Sequence, residues 1–208
     1  LSFEGDSHFL LGANGQGKTN LLEAVGLVSA LRSFRTQETA SLIMNGEREA
    51  GLYYTLEQPP AGASTVRLDL GRRKKRLALD GEPVRRLSDY IGRFPTTVLS
   101  SDDIQLLRGG PALRRRFLDL TAASMEPAYY NALRSYDRAL RERNSLLRGE
   151  AFAPALAEPY EKLLARHGAF LMARRQAITG ELGEALAEAY RRFARAPETP
   201  GLHYEPAG

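Results

Sequence analysis

The 208-residue sequence contains no cysteine and only three histidines. Without cysteine the chain cannot form disulfides, hold a metal through thiolates or use a cysteine nucleophile. The histidines His8, His167 and His203 lie far apart in the sequence and show no metal-ligand spacing. No apolar run approaches the ~20 residues that a membrane-spanning helix needs, and no signal peptide opens the sequence. We therefore expect a cytoplasmic protein without a membrane segment.

Charge is nearly balanced over the whole chain but uneven along it. There are 29 basic and 25 acidic residues, a formal net charge of +4. Residues 66–86 hold eight basic and three acidic side chains, and residues 106–148 hold nine arginines and four acidic side chains. Such patches are compatible with a polyanionic partner, although basic patches are more often only solvated surface. The composition is otherwise that of a globular protein, with 43% hydrophobic residues.

The two halves of the sequence differ in pattern. Up to about residue 108, short apolar runs alternate with turn residues, and the stretches 66–70 and 76–79 around a turn at 71–73 predict a β-hairpin. Residues 51–56 and 94–100 are further strand candidates. Leu21, Leu22, Val25 and Val28 recur at helical spacing and predict one early helix.

The second half is helical in pattern from Pro111 onward. Pro111 and Pro127 suit first-turn positions of helices, where a missing N–H has no cost. Long amphipathic stretches end at Gly149 and run from Pro159 to about residue 194, joined by a loop at 150–158. This spacing predicts an antiparallel pair of long helices.

One motif carries chemistry, the pattern G-x-x-x-x-G-K-[ST] at residues 12–19. Its members are Gly12, Ala13, Asn14, Gly15, Gln16, Gly17, Lys18 and Thr19. Residues 9–11 are predicted to form a short apolar strand before it, and the predicted helix follows it, which is the strand–loop–helix context that a phosphate-binding loop requires.

The residue types in this loop fit a nucleoside triphosphate with magnesium. Glycines let successive backbone N–H groups converge on a phosphate, and the helix N-terminus adds partial positive charge. Lys18 is expected to bridge the β- and γ-phosphates, and the Thr19 hydroxyl to ligate Mg²⁺. We therefore predict ATP or GTP binding at residues 12–19.

A catalytic carboxylate is less evident. Asp102 and Asp103 follow the short apolar stretch 98–99, but two serines intervene. Either a magnesium-holding role or a turn or helix cap is open for them, and serine and aspartate favour caps. The residue that would activate water is therefore not assigned.

Three stretches of the sequence, the first of which contains this loop, resemble a known family. The sequence GANGQGKTNLLEAVGLVSALRSFRT at 12–36, GGPALRRRFLD at 109–119 and YDRALRERNSLL at 136–147 stand in the order found in the RecF family. That family of DNA replication and repair proteins is part of the ABC-like group that includes the SMC proteins. This sequence departs from the family pattern at Leu31, where glycine is usual, and at Ser101, where proline is usual.

The resemblance implies an α/β fold, a P-loop ABC-type ATPase head with a mixed sheet around the phosphate-loop helix and an inserted helical lobe. It assigns residues 1–108 to an incomplete head, 109–200 to the helical lobe and 201–208 to the return into the head. It also implies that a short N-terminal strand and the C-terminal signature and Walker B region of the family lie outside this sequence.

The resemblance also implies a function. Family members bind ATP and single-stranded, gapped or junction DNA, form ATP-dependent homodimers and help to load recombinase with RecO and RecR. The implied setting is replication, recombinational repair and the SOS response, with a weak DNA-stimulated ATPase in the full-length protein. For residues 1–208 alone we expect weak nucleotide binding and almost no hydrolysis.

Candidate DNA contacts come from the basic patches. They are Arg72, Arg73, Lys74 and Lys75 at the hairpin turn, and Arg114 and Arg115 after Pro111. Solvated surface and ion pairing are the competing interpretations. Arg32 and Arg35 either approach nucleotide or DNA, as in related heads, or are cations that favour the C-terminus of the first helix.

Two alternative functions stay open at this point. A P-loop nucleoside or nucleotide kinase would use the same loop, but the long helix and the RSFRT block have no evident role in it. A helical-hairpin module in which nucleotide only stabilises the fold is the other alternative.

Overall fold

The computed structural model describes residues 1–36, 38–58, 60, 62–72, 74–149, 154–194 and 198–206. The chain divides into two compact units, Leu1–Leu99 and Ser100–Gly208. Among the described residues, the first contains one helix and a four-stranded sheet, and the second is helical. The finer assignment of head, lobe and return at residues 108 and 200 remains a prediction.

Helix α1, Lys18–Ala30, is the helix that the apolar spacing predicts. It begins after Gly17, whose φ is 86°, and ends at Leu31, which adopts the left-handed conformation with a φ of 51°. The Leu31 N–H closes the last turn by donating to Leu27 O at 3.0 Å. Leu27 and Val28 are buried, whereas Leu22 is 53% exposed. The burial of this helix is therefore concentrated in its C-terminal half.

Four strands form one sheet in the order β1-β2-β3-β4. Their bounds are Glu49–Gln58 for β1, Gly62–Gly71 for β2, Lys75–Leu79 for β3 and Glu82–Pro83 for β4. The predicted hairpin is confirmed by the β2–β3 pairing, in which Val66 lies opposite Leu79. The strand predicted at 51–56 is confirmed within β1. All three described strand pairings are antiparallel. These four strands therefore form only the antiparallel part of the mixed sheet that we expect.

The turn between β3 and β4 shows why the sequence pattern predicts this part well. Asp80 and Gly81 both have positive φ, 51° and 85°, as the two-residue hairpin turns with Asp-Gly require. The Asp80 carboxylate also accepts the Thr65 backbone N–H at 2.7 Å. A local sequence signal and a cross-strand bond thus fix the same register.

Two predicted strands are wrong for the described residues. Residues 9–11 are not in a strand, and Phe9 and Leu11 are 84% and 90% exposed. A three-residue apolar run has no pairing partner of its own. Residues 94–100 also lie outside any strand, since Pro95 has no N–H for a ladder. The chain at 201–206, in the stretch assigned to the return into the head, is likewise irregular.

The core of the first unit lies between α1 and the sheet. Val66, Leu68 and Leu70 of β2 are each at most 2% exposed. They pack with α1 and with Tyr90 and Phe94, which follow the sheet. Burying each such side chain contributes roughly 1.5–3 kcal/mol. Short 3₁₀ turns at Thr39–Leu42 and Leu87–Asp89 complete this unit.

The described part of the second unit contains four helices after a 3₁₀ turn at Ser101–Ile104. They are α2 at Gln105–Arg108, α3 at Pro111–Met125, α4 at Pro127–Leu147 and α5 at Pro154–Phe193. Pro111 and Pro127 occupy first-turn positions, as predicted. The predicted start of the last helix is wrong, because α5 already begins at Pro154 and includes Pro159. Of the predicted loop at 150–158, residues 150–153 lie outside the described residues.

Helices α4 and α5 are antiparallel, as predicted. Arg143 near the end of α4 pairs with Glu161 near the start of α5, whereas Glu126, just before α4, pairs with Arg174. Their shared core includes Tyr129, Leu171 and Ile178. None of the helices in the described part of the chain combines the length and apolar character that a membrane crossing requires.

Candidate nucleotide site

The glycines of the loop at 12–17 set its conformation. Gly15 and Gly17 have φ angles of 81° and 86°, which side chains other than glycine rarely adopt. A Cβ added at either glycine would meet nothing within 4 Å. The backbone dihedral is therefore the requirement at these two positions, and the space above the loop is open.

Lys18 folds back over this loop. Its Nζ donates to Gly12 O and Ala13 O, both at 2.7 Å. An ammonium group has three donors, so one remains for a ligand after these two bonds. The positive charge is thereby held at the open side of the loop, where an anion would enter.

The N-terminus of α1 is the second part of the site. Gly17 is the N-cap residue and forms no side-chain cap, and the first turn contains no acidic side chain. The first N–H groups of a helix lack intrahelical partners and carry partial positive charge. An uncapped helix start directly after a glycine loop is an anion-binding arrangement, and phosphate fits it best.

Thr19 is the candidate protein ligand for a magnesium ion here. The exposed Thr19 side chain follows Lys18 in the first turn of α1. The described residues contain no group of three or more histidine, cysteine or carboxylate side chains that could hold a metal. The donor set therefore fits a magnesium ion that arrives with phosphate, because Mg²⁺ commonly takes few protein ligands together with water and substrate oxygens.

Asp103 has a structural role in the second unit. Its carboxylate accepts hydrogen bonds from the Ser100 backbone N–H at 2.6 Å and from the Ser100 hydroxyl at 3.2 Å. The pair forms a capping box at the 3₁₀ turn that begins with Ser101. Of the two interpretations that the sequence leaves open for Asp103, these contacts support the cap.

A group of polar side chains beside α1 was not predicted as a unit. Glu23 is 7% exposed and accepts hydrogen bonds from Ser33 and Arg35. Glu23 and Arg35 also border a cavity of about 440 Å³ between α1, the 3₁₀ turn at Thr39–Leu42 and the sheet. The sequence signal that could have predicted this group is Glu23 itself, an acidic residue inside an apolar helical stretch. Glutamate is almost never buried without a partner, so a buried Glu23 implies partners nearby.

The candidate DNA contacts differ in their surroundings. Arg72, Lys74, Lys75, Arg114 and Arg115 are all exposed residues, and Arg73 lies outside the described residues. Lys75 Nζ donates to Leu31 O at 2.9 Å, and partial burial together with Arg32 lowers its pKa. Arg114 donates to Gly109 O at 2.8 Å. Lys75 and Arg114 thus each have a structural partner within their own unit.

The loop, its lysine and the uncapped helix on an α/β scaffold define the class of P-loop proteins. RecF proteins of Synechococcus sp. (strain JA-2-3B'a(2-13)) and Anaeromyxobacter sp. (strain Fw109-5) are 34% and 38% identical to this chain over 210 and 200 residues. These alignments cover 99% and 95% of the chain. The chain belongs to the RecF family of DNA replication and repair proteins.

Solved structures agree with the sequence relatives. Two structures of the recombination mediator protein RecF in the RecFOR pathway, RecF-ATPrS and RecF-ATP, superpose with TM-scores of 0.81 and 0.82 at 27% and 26% identity. They cover 88% and 87% of this chain. The predicted fold class, an α/β P-loop head of the ABC type with a helical lobe, is thereby confirmed.

The chain spans about half the length of the relatives it matches. The aligned part is 55% and 53% of the two curated proteins and 50% of each solved RecF chain. No family model matches the sequence.

Proposed function

We propose that this chain provides the ATP-binding loop of a RecF-type protein that acts in DNA replication and recombinational repair. The observation that carries the proposal is the open loop at 12–19, where Lys18 bridges two loop carbonyls beside an uncapped helix start. The family relationship supports ATP as the nucleotide, because one of the similar solved structures is of RecF-ATP.

Each residue of the loop has a proposed task. The backbone N–H groups of residues 13–19 bind phosphate oxygens, and Lys18 supplies a positive charge for the β- and γ-phosphates. The Thr19 hydroxyl would hold Mg²⁺, which would neutralise charge on the phosphates. Gly12, Gly15 and Gly17 permit the backbone conformation, while Ala13, Asn14 and Gln16 contribute mainly their amides.

Hydrolysis requires more than this loop. In-line attack on the γ-phosphate needs a positioned water and compensation of charge. The capping role of Asp103 leaves it engaged elsewhere. We propose a weak, DNA-stimulated ATPase for the whole RecF-type protein, and near-zero turnover for residues 1–208 alone.

The proposed partners follow from the family and from the exposed basic side chains. Two heads would form an ATP-dependent homodimer on single-stranded, gapped or junction DNA in the cytoplasm, with RecO- and RecR-like mediators as partners in the DNA damage response. Arg72, Lys74, Lys75, Arg114 and Arg115 are the described candidate phosphate contacts, and all five are exposed residues. Such contacts are independent of base sequence and weaken as salt increases.

The test compares the chain with a Lys18→Met variant in the presence and absence of gapped DNA. We expect wild-type chain to bind DNA more tightly with MgATP than without nucleotide, and the variant to lose this ATP effect while keeping its basal DNA binding. Fluorescence anisotropy of labelled gapped DNA measures both. Phosphorylation of a nucleoside by the wild-type chain would favour the kinase alternative and contradict this proposal.

A further inference from the structure

Glu23 is a buried carboxylate on the helix that starts the phosphate site. Its side chain is 8% exposed, and burying a charge without partners is very unfavourable. The Ser33 hydroxyl donates to one carboxylate oxygen, and Arg35 Nη1 donates to the other at 3.3 Å. Both partners come from the segment that follows α1.

Ser33 also fixes the backbone of that segment. Its Oγ accepts the N–H of Arg35 at 2.9 Å and the N–H of Thr36 at 3.0 Å. One hydroxyl thus joins the helix carboxylate to two consecutive amides. Because the Ser33 side chain is satisfied as donor and acceptor at once, the turn at 33–36 is tied to Glu23.

The result is that Arg35 lies beside the N-terminal half of α1. Its Nη1 also donates to Asn20 Oδ1 at 3.0 Å, and Asn20 directly follows Thr19. A 13-residue helix is about 20 Å long, so the chain runs back along much of α1 after Leu31. The alternative in which Arg35 favours the C-terminus of the helix dipole does not fit this position, since a cation near the N-terminus opposes the dipole.

We propose that Glu23, Ser33 and Arg35 form a clamp that fixes the first two turns of α1 and thereby positions the phosphate loop. Asn20 and Glu23 are three residues apart on one face of the helix, and the planar guanidinium of Arg35 bonds to both. Donors that are held in place before binding lose less freedom when phosphate binds. Arg35 is then a positioning residue, and this inference rests on the proposed nucleotide function.

The test measures the affinity of the 208-residue chain for a fluorescent ATP analogue and for inorganic tripolyphosphate, both with Mg²⁺. The variants are Glu23→Gln, Arg35→Gln and the double variant. We expect each single variant to bind both ligands about tenfold more weakly, and the double variant to be no weaker than the single ones, because both act through one contact. Tyr90→Phe is the matched control, since it removes a hydrogen bond to Val28 O in the other half of α1.

Each outcome decides between the alternatives. Tyr90→Phe should lower the unfolding midpoint while leaving both affinities unchanged. A loss of affinity in this control would show that affinity follows the general stability of the unit and not the contacts of Arg35, and would overturn the clamp. Equal tripolyphosphate binding in all variants, with weaker binding of the ATP analogue only, would mean that Arg35 contacts the nucleoside and would also overturn it. If the wild-type chain binds neither ligand, the proposed nucleotide function itself fails. If it binds both and the variants match it, only the clamp fails.

Discussion

At the scale of single residues, three side chains donate hydrogen bonds to carbonyls along α1. Tyr54 donates to Ala24 O at 2.7 Å, Tyr90 to Val28 O at 2.5 Å and Lys75 to Leu31 O at 2.9 Å. Such a bond contributes about 1 kcal/mol net when its partners would otherwise be solvated. Together with the contacts of Glu23, they hold α1 on the sheet along most of its length.

The hydroxyl of Tyr54 makes stability depend on alkaline pH. Burial raises the pKa of Tyr54 to about 12, above the value of about 10 in an unfolded chain. The folded-state pKa is the higher one, so this contribution is complete below about pH 10 and is lost as pH rises through 12. We expect the free energy of unfolding to fall more steeply between pH 9 and 11.5 in wild type than in Tyr54→Phe.

Urea unfolding followed by circular dichroism at several pH values measures this difference. Burial also raises the pKa of Tyr90 and Tyr129, so both proteins should lose stability and only the difference between them reports on Tyr54. Parallel pH dependences would show that the Tyr54 hydroxyl is solvated in the folded chain.

The residues of the phosphate loop are predictable from sequence, and the contacts of Arg35 are not. A loop that binds phosphate needs particular residue types at fixed spacing, so Gly15, Gly17 and Lys18 can be identified from the chain alone. The return of Arg35 to Asn20 depends on the left-handed conformation of Leu31, which leucine rarely adopts. The RecF pattern usually has glycine at this position, and glycine adopts that conformation readily. In this chain the position is leucine, and its side chain is buried in the core.

At the scale of elements, one ion pair connects α3 with α5. Arg175 donates to both carboxylate oxygens of Asp119, at 2.8 and 2.9 Å, and Tyr129 of α4 donates to the same carboxylate. The two charged side chains are 15% and 16% exposed. Burial is the largest single effect on Arg175 and by itself lowers the pKa. The hydrogen bonds to Asp119 and the charge of Asp119 raise it, and with the smaller contributions the net result is a raised pKa of Arg175. Three helices therefore meet at one satisfied charged group.

We expect Asp119→Asn to destabilise the helical unit by about 3 kcal/mol, because it leaves a buried guanidinium without its counter-charge. Glu188→Gln is the matched control. It removes an exposed pair with Arg191, whose side chains are 68% and 64% exposed, and such pairs contribute about 0–1 kcal/mol. Guanidinium chloride unfolding monitored by helical ellipticity measures both, and equal losses in the two variants would contradict this assignment.

Elements with a strong local signal are predicted well, and the others are not. The β2–β3 hairpin has alternating apolar residues and a turn, and both strands form. Helices α3 and α4 begin at prolines, which mark first turns. Residues 9–11 and 94–100 have only short apolar runs, so whether they pair depends on distant parts of the chain. The predicted start of α5 at Pro159 is wrong, because that proline does not mark the first turn. One proline inside the helix near its start removes only one backbone hydrogen bond, so the helix can begin earlier.

At the scale of the whole molecule, the resemblance of the motif blocks to the RecF family predicts the α/β class, but not which apolar faces are buried. Leu22 and Val25 share the helical pattern of α1, yet they are 53% and 38% exposed, whereas Leu27 is 3% exposed. Helical periodicity marks a face but does not state what covers it. The sheet covers the C-terminal half of α1 and leaves its start beside the open phosphate loop.

The central claim is that the loop at 12–19 binds the triphosphate of ATP through its amides and Lys18. Calorimetric titration of the 208-residue chain with MgATP tests it most directly. We predict saturable binding of one nucleotide per chain in wild type and at least tenfold weaker binding in Lys18→Met, whose side chain cannot donate to Gly12 O or to phosphate. An absence of binding up to millimolar MgATP, or equal affinity in the two proteins, would contradict it.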